Sequence, residues 1–190
     1  IAGRFSYTYA SDFNRDGQTN DLIYIPKDPT EITFVDNTIN LGGGNTVTYT
    51  AKQQSDLFFR YIEQDKYLSS RKGQYAERNG AQMPWRNQVD FKLVQDIFTN
   101  IGKKRNAVQF TLDIFNFGNL LNKNWGLVKT INAGAILLPQ NVSSLVAGGA
   151  VKPTFKLATD RNVPVSTTFR DNNSIASTYY MQFGLRYIFN

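Results

Sequence analysis

The stretch YYMQFGLRYIFN, residues 179–190, alternates two kinds of side chain along its whole length. The apolar or aromatic set consists of Tyr179, Met181, Phe183, Leu185, Tyr187 and Phe189. Mostly polar or small residues stand between them. A period of two is typical of a β-strand whose two faces meet different surroundings. Because chain ends usually fray, a strand this close to the terminus is expected to pair with a further strand.

Three other stretches share this alternation: GRFSYTYA, NQVDFKLVQDI and VQFTLDIF. We therefore predict four strands, near residues 3–10, 87–97, 107–117 and 179–189. A basic turn over 98–106 joins the second and third strands, whereas connections 11–86 and 118–178 are long. Connections beyond about 15 residues are uncommon in compact domains and are usually functional or disordered.

The composition argues against catalysis. The chain has neither cysteine nor histidine, so thiolate chemistry, the usual general base and the commonest metal ligand are missing. We expect no enzyme and no catalytic residue. The net charge of +6 includes three adjacent cations at residues 103–105, but neither a recognition helix nor an aromatic platform accompanies them. Nucleic-acid binding is therefore not expected.

Two architectures produce strands with unlike faces: a soluble β-sandwich and a membrane β-barrel with a polar lumen. Full charges on the polar faces, aromatic residues at the strand ends and long connections on one side only favour the barrel. The expected lumen-facing charges are Arg4, Asp90, Lys92, Asp113 and Arg186. The predicted fold is thus all-β, with four antiparallel transmembrane strands and long extracellular loops.

Four strands do not close a barrel. Each unpaired backbone group that faces lipid costs several kcal/mol, and the smallest spanning barrels have about eight strands. We expect the chain to be the last four strands of a larger barrel, whose remaining strands pair with its two edges.

Several segments resemble the C-terminal end of TonB-dependent receptors, in particular the Oar-like branch common in Bacteroidota. They are DFNRDGQTNDLIYIP (12–26), YIEQDKYLSSRKGQYAERNGAQMPW (61–85), VDFKLVQDI (89–97) and FTLDIFNFGNLLNKNWG (110–126). They cover about half of the chain, and they say nothing about the substrate. The final strand, with Tyr187 and Phe189, resembles the signal that the outer-membrane assembly machinery reads.

The resemblance implies a plugged barrel of roughly 22 strands in the bacterial outer membrane. The implied partners are outer-membrane lipid, the remaining strands and plug, the TonB system and the barrel assembly machinery; a surface lipoprotein is a further possible partner. No cofactor for chemistry is implied. The basic turn would lie in the periplasm, where it either contacts anionic head groups or is simply solvated.

The first connection contains a possible calcium loop. Its candidate ligands are Asp12, Asn14, Asp16, Gln18 and Asp21. The first three occupy positions one, three and five, and Gly17 occupies position six, where such loops turn sharply. However, Ile23 stands where an EF-hand has its glutamate. Asp and Asn also form ordinary turns by bonding their own backbone, so a structural calcium ion and an Asx turn are both open.

The long connections also offer aromatic residues to a ligand. The candidates are Tyr61, Tyr67, Tyr75, Trp85 and Trp125. Such a surface suits peptides or glycans, although packing between loops is the alternative role for each ring. Apolar residues at helical spacing over 57–62 predict a short helix that packs on neighbouring loops.

We therefore expect part of an outer-membrane receptor that imports a nutrient. The leading alternative is a barrel that acts as scaffold or interaction subunit in a surface or secretion assembly. A soluble sandwich adhesin or lectin is a third.

Overall fold

The structure of the chain, a computed structural model, describes residues 3–101, 103–144 and 152–189. It is mostly β-structure with few helices, in agreement with the all-β prediction at this coarse level. The residues form two compact units. The loop unit comprises Ile1–Pro84 and Ile131–Arg170, and the sheet unit comprises Trp85–Thr130 and Asp171–Asn190. Within the described ranges, no helix is both long and apolar enough to span a membrane.

The strands are numbered in chain order. They are β1 (Arg4–Phe5), β2 (Thr8–Tyr9), β3 (Tyr24–Ile25), β4 (Thr33–Phe34), β5 (Asn37–Gly42), β6 (Asn45–Tyr49), β7 (Gln74–Tyr75), β8 (Ala81–Gln82), β9 (Phe91–Ile101), β10 (Lys104–Phe115), β11 (Lys129–Ile131), β12 (Ala135–Pro139), β13 (Thr154–Leu157), β14 (Thr159–Asp160), β15 (Val163–Pro164), β16 (Phe169–Asp171) and β17 (Tyr180–Phe189). The helices are α1 (Ala51–Gln64), α2 (Lys66–Ser69) and α3 (Phe117–Leu121). Short 3-10 turns cover Pro29–Glu31, Val142–Ser144 and Ile175–Ser177.

The sheet unit is built on an antiparallel sheet in the order β17-β10-β9. The central strand β10 pairs along its length with both neighbours, and Phe110 lies opposite Leu185 on one side and Gln95 on the other. Each strand carries apolar residues at alternate positions, and the register aligns these positions. Most of the apolar side chains therefore lie on one face of the sheet, and Val94, Phe98 and Ile188 lie on the other.

The loop unit contains a mixed sheet in the order β2-β12-β13-β4, where β12 and β13 are antiparallel and each outer strand is parallel to its neighbour. Its core draws on both long connections. The fully buried apolar side chains include Tyr7, Ile23, Phe58, Ile136 and Leu157. The two connections thus share one hydrophobic core, and neither is a structureless loop.

Helix α1 forms where the apolar spacing predicts a helix. A capping box starts it: the Thr50 hydroxyl accepts from the Gln53 amide N–H at 3.2 Å, and the Gln53 side chain accepts from the Thr50 N–H at 2.9 Å. These bonds satisfy amide groups that a helix start otherwise leaves unpaired. Phe58, Tyr61 and Ile62 lie on the buried face of the helix, which packs into the core of the loop unit.

The strands predicted near 87–97, 107–117 and 179–189 correspond to β9, β10 and β17 with shifted ends. Strand β9 continues to Ile101 and β10 begins at Lys104, so their connection is much shorter than the predicted turn over 98–106. The strand pairing continues through this region because Ile101 lies opposite Lys104.

The prediction of a long sheet strand near residues 3–10 is wrong. These residues form β1 and β2, two short strands of the loop unit that pair with β8 and β12. Their alternating aromatic side chains, Phe5, Tyr7 and Tyr9, lie in the core of that unit. Alternation indicates only that one side of a strand is covered by apolar surroundings, and here the covering is protein.

Candidate functional site

The sheet unit has one face that is almost wholly apolar. This apolar face consists of Phe91, Leu93, Gln95, Ile97, Val108, Phe110, Leu112, Ile114, Met181, Phe183, Leu185, Tyr187 and Phe189. The apolar side chains of the two outer strands are exposed, among them Leu185 at 77%, Phe183 at 65% and Ile97 at 61%, whereas those of the central strand β10 are half-buried or, at Ile114, buried. Soluble proteins rarely leave so large a continuous apolar surface uncovered, and such surfaces mark contact with a membrane or a partner.

The opposite face of the sheet carries polar and charged groups that satisfy one another across strands. The Lys92 ammonium lies 3.1 Å from the Asp113 carboxylate, and the Gln109 amide donates to Asp96 at 2.8 Å. Arg186 lies opposite Gln109 on the same face. Three of the five predicted lumen-facing charges, Lys92, Asp113 and Arg186, are therefore on one polar face.

The other two predicted lumen charges have different places. Asp90 precedes β9, and its carboxylate accepts from the Gln88 side chain at 2.9 Å and from the Asn116 N–H at 2.8 Å. The bond to Asn116 holds the chain directly after the last residue of β10. Arg4 lies on β1 in the loop unit, opposite Gln82, so its assignment to the polar face of this sheet is wrong. The reason is that the alternating aromatic residues beside Arg4 pack into the core of the loop unit.

Aromatic and basic residues lie together at the end of the sheet where β9 turns into β10. The rings of Tyr187 and Phe189 stack with centroids 6.0 Å apart, and the Tyr187 hydroxyl donates to the Asn106 side chain at 2.6 Å. The Arg105 guanidinium lies 3.9 Å from the centroid of the Phe98 ring. At the other end of the sheet, Phe115 and Tyr180 stack at 4.5 Å. Aromatic pairs thus lie at both ends of the sheet, the pair of Tyr187 and Phe189 on the apolar face and the pair of Phe115 and Tyr180 on the opposite face.

The proposed aromatic ligand surface is only partly available. Tyr61 is fully buried in the core of the loop unit, and Tyr67 packs on Tyr7 with centroids 6.2 Å apart. The assignment of Tyr61 to an exposed surface is therefore wrong, because it lies on the core-facing side of α1. Tyr75 of the loop unit is exposed and packs edge to face against Tyr24 at 5.4 Å.

Trp85 and Trp125 belong to the sheet unit, and both are exposed. The Trp125 N–H donates to the Asn122 carbonyl at 2.9 Å, and the Trp125 carbonyl accepts from the Asn119 side chain at 2.9 Å. These bonds fix the backbone of Trp125, whose side chain is 56% exposed. Of the five predicted rings, three are thus accessible, and they are divided between the two units.

A hydrogen-bond cluster that no local sequence pattern predicts connects distant segments of the loop unit. The Tyr7 hydroxyl donates to the Asp65 carboxylate at 2.5 Å, and the Thr168 hydroxyl donates to it at 2.6 Å. The Gln64 side chain donates to Thr168 at 2.9 Å. Burial first, then the neighbouring Tyr61 and the bond to Asp65, raises the pKa of Tyr7 far above its ordinary value. Tyr7, Asp65 and Thr168 are buried, and their hydrogen bonds hold both long connections in one fold.

Asp65 also caps a helix. Its other carboxylate oxygen accepts from the Tyr67 N–H at 2.9 Å and from the Leu68 N–H at 3.0 Å. The sequence pattern of an aspartate directly before α2 is a recognisable cap signal. Its second set of partners, Tyr7 and Thr168, could not be read from any local pattern.

The residues of the candidate calcium loop make an Asx-rich turn. Asp12 accepts from the Asp16 N–H at 3.1 Å and from the Gly17 N–H at 2.9 Å. Asp16 accepts from the Gln18 N–H at 2.8 Å, and Asp21 accepts from the Asn14 N–H at 3.1 Å. The carboxylates thus bond the backbone of their own loop.

Across the part of the chain that the structure describes, no group of three or more acidic, histidine or cysteine side chains is arranged to hold a metal. The Asx turn accounts for the geometry of the loop, and the structural calcium ion stays a prediction.

Comparison with known proteins gives no relative. No family model, no curated protein and no solved structure matches the chain.

Proposed function

We propose that β9, β10 and β17 are membrane-spanning strands of an outer-membrane β-barrel, and that the chain is the C-terminal part of a TonB-dependent receptor that imports a nutrient. The observation that carries this proposal is the exposed apolar face. The three strands have 11, 12 and 10 residues, which suits the roughly 9–11 residues that a tilted strand needs to cross a bilayer.

The polar face supports the same orientation. The ion pair between Lys92 and Asp113 lies on the side away from the apolar face, as expected for strands that separate lipid from a wet lumen. Among the described residues, β9 and β17 each pair on one side only. Free backbone groups at these two edges are costly in lipid, so further strands of the same protein are their proposed partners.

The loop unit is the proposed extracellular receptor surface. Long connections cost ordering entropy, and a barrel needs only short turns to cross a membrane. The shared core and the Tyr7–Asp65–Thr168 cluster offset this cost, which favours a function that needs an ordered surface. Uptake would draw energy from the TonB system through the plug. In this proposal the chain catalyses no reaction and binds no nucleic acid; its other partners are lipid, the assembly machinery and a surface lipoprotein.

The test uses cells that produce the whole protein to which this chain belongs. Outer membranes are separated from soluble protein, and the gel mobility of heated and unheated samples is compared. A folded membrane barrel is expected to remain with the membranes and to change mobility on heating. Recovery of the folded protein without detergent would instead support a soluble adhesin or lectin.

A second measurement separates a receptor from a scaffold. Biological activity of the protein is compared in cells with and without the energy-transducing motor. A receptor should lose its activity without the motor, whereas a scaffold in a surface or secretion assembly should keep it.

A further inference from the structure

A cleft of about 400 Å³ opens in the loop unit, and its volume lies within the range of small-molecule sites. It is lined by Ser6, Thr8, Asn20, Leu22 and Arg78. These residues come from three segments: the strand region 4–9, the Asx-rich loop with its continuation to Leu22, and the turn over 77–80. The cleft is therefore built by the fold of the unit and belongs to no single loop.

One wall of the cleft follows from the alternation in residues 3–10. The aromatic residues Tyr7 and Tyr9 fill the core, so Ser6 and Thr8 point to the other side. Leu22 joins this wall through a β-bridge with Thr8. The wall thus presents two hydroxyl groups beside one apolar side chain.

The turn that carries Arg78 is held on both sides. The Tyr67 hydroxyl accepts from the Glu77 N–H at 2.6 Å, and the Ser6 hydroxyl accepts from the Asn79 N–H at 2.7 Å. Asn79 has φ = 54°, a left-handed conformation that non-glycine residues adopt rarely. Asparagine tolerates this conformation in turns, and the two hydrogen bonds fix the backbone on either side of Arg78.

Of the described residues that line the cleft, Arg78 is the charged one. Among the described residues it forms no ion pair, and the neighbouring Glu77 is engaged by Arg71 at 3.0 Å. An exposed guanidinium without a carboxylate partner can bind an anionic group through two parallel hydrogen bonds. One cation balances the single charge of a carboxylate, whereas a phosphate group carries nearly two charges.

We propose that this cleft binds a small solute through a carboxylate group, with Arg78 as the anchor. Ser6, Thr8 and Asn20 supply hydrogen bonds to amide or hydroxyl groups of the solute, and Leu22 contacts its apolar part. Short peptides with a free C terminus and acidic sugars share this chemistry. As the recognition site of a receptor the cleft rests on the proposed function, but binding itself does not depend on membrane insertion.

The test is calorimetric titration of the purified whole protein to which this chain belongs with four probes. They are N-acetyl-trialanine with a free carboxylate, the same peptide with a C-terminal amide, glucuronate and glucose. At least one carboxylate probe is expected to bind about tenfold more tightly than its neutral counterpart, because the bond to Arg78 is charge-assisted. Tighter binding of the peptide acid than of the peptide amide would identify the ligand as a peptide. Tighter binding of glucuronate than of glucose would identify it as an acidic sugar.

Two variants locate the site. Arg78→Gln should remove the preference for the carboxylate, and Arg78→Lys should keep part of it, because lysine retains the charge without the planar fork. Arg60→Gln is the matched control, since Arg60 is an exposed cation on α1 outside the cleft. Near-ultraviolet circular dichroism checks that each variant is folded.

Equal binding of charged and neutral probes, no binding to the folded chain, or an unchanged preference in Arg78→Gln would each overturn the proposal. Tighter binding of inorganic phosphate than of either carboxylate would overturn the choice of ligand. Carboxylate binding by a protein that does not fractionate with outer membranes would refute the proposed function alone. Membrane insertion without any carboxylate binding would refute the cleft alone.

Discussion

Replacement of Leu185 by arginine separates a sheet that faces lipid from a sheet that faces water. Leu185 is 77% exposed on the apolar face and lies opposite Phe110 of the central strand. It is equally far along β17 from Met181 and from Phe189. At about 3.4 Å per residue and a tilt of about 45°, Leu185 is roughly 10 Å in depth from each of them. If the sheet spans a membrane as proposed, with an apolar band about 25 Å tall, this position lies close to the bilayer midplane.

The expected size of the effect depends on the surroundings. An arginine on the lipid face at the midplane of a barrel costs about 2–4 kcal/mol, which lowers the folding equilibrium constant by about 30- to 900-fold. In water, a substitution at a residue this exposed usually changes the free energy of unfolding by no more than about 0.5 kcal/mol. The two surroundings therefore predict clearly different results.

Gln182→Arg is the matched control for Leu185→Arg. It introduces the same residue into the same strand but on the polar face, where Gln182 lies opposite Asp113. We expect this variant to fold into lipid vesicles as well as the unmodified protein. Guanidinium titration of vesicle-inserted protein, followed by heat-dependent gel mobility, measures both variants. If Leu185→Arg and Gln182→Arg have the same unfolding free energy, the apolar face does not contact lipid.

Above a pH of about 10 the loop unit should lose stability, because tyrosines ionise in the unfolded chain while the pKa of Tyr7 is raised in the folded one. In this pH range the unfolding free energy of Tyr7→Phe should fall less steeply with pH than that of the unmodified protein, by up to about 1.4 kcal/mol per pH unit. Identical slopes for the two proteins would refute this prediction. If the loop binds calcium through about 6–8 oxygen ligands, calorimetric titration with calcium should release heat from the unmodified protein and none from Asp12→Ala. Equal heats from the unmodified protein and the variant would show that the loop is an Asx turn without calcium. Deletion of residues 187–190 removes the aromatic end of β17 and should abolish insertion, so normal surface levels of the truncated protein would argue against an assembly signal.

The three long strands could be predicted because their signal is local. In β17 every second residue from Met181 to Phe189 is apolar or aromatic, and a strand is the conformation that places such residues on one face. The helix α1 follows from its own spacing in the same way. The ends of β9 and β10 could not be located, because polar residues near a tight turn show no period.

The surroundings of each face could not be predicted from the same pattern. Phe5, Tyr7 and Tyr9 alternate as regularly as the residues of β17, yet they lie in a protein core. That core depends on contacts between distant segments: Tyr7 and Thr168 share a hydrogen bond although they are 161 residues apart. The basic and aromatic sequence neighbourhood of Tyr61 predicts a ligand surface, but tertiary packing buries this residue. The cleft around Arg78 depends on the same long-range packing.

Site-directed spin labelling of β17 in lipid vesicles tests the lipid contact most directly. The chain contains no cysteine, so single cysteines at Phe183, Leu185, Gln182 and Arg186 can each carry the only label. Power saturation then compares collisions with oxygen, which concentrates in lipid, and with a water-soluble nickel complex. We expect labels at Phe183 and Leu185 to meet mainly oxygen and labels at Gln182 and Arg186 to meet mainly the nickel complex. Equal access of the nickel complex to all four positions would contradict a membrane-spanning sheet.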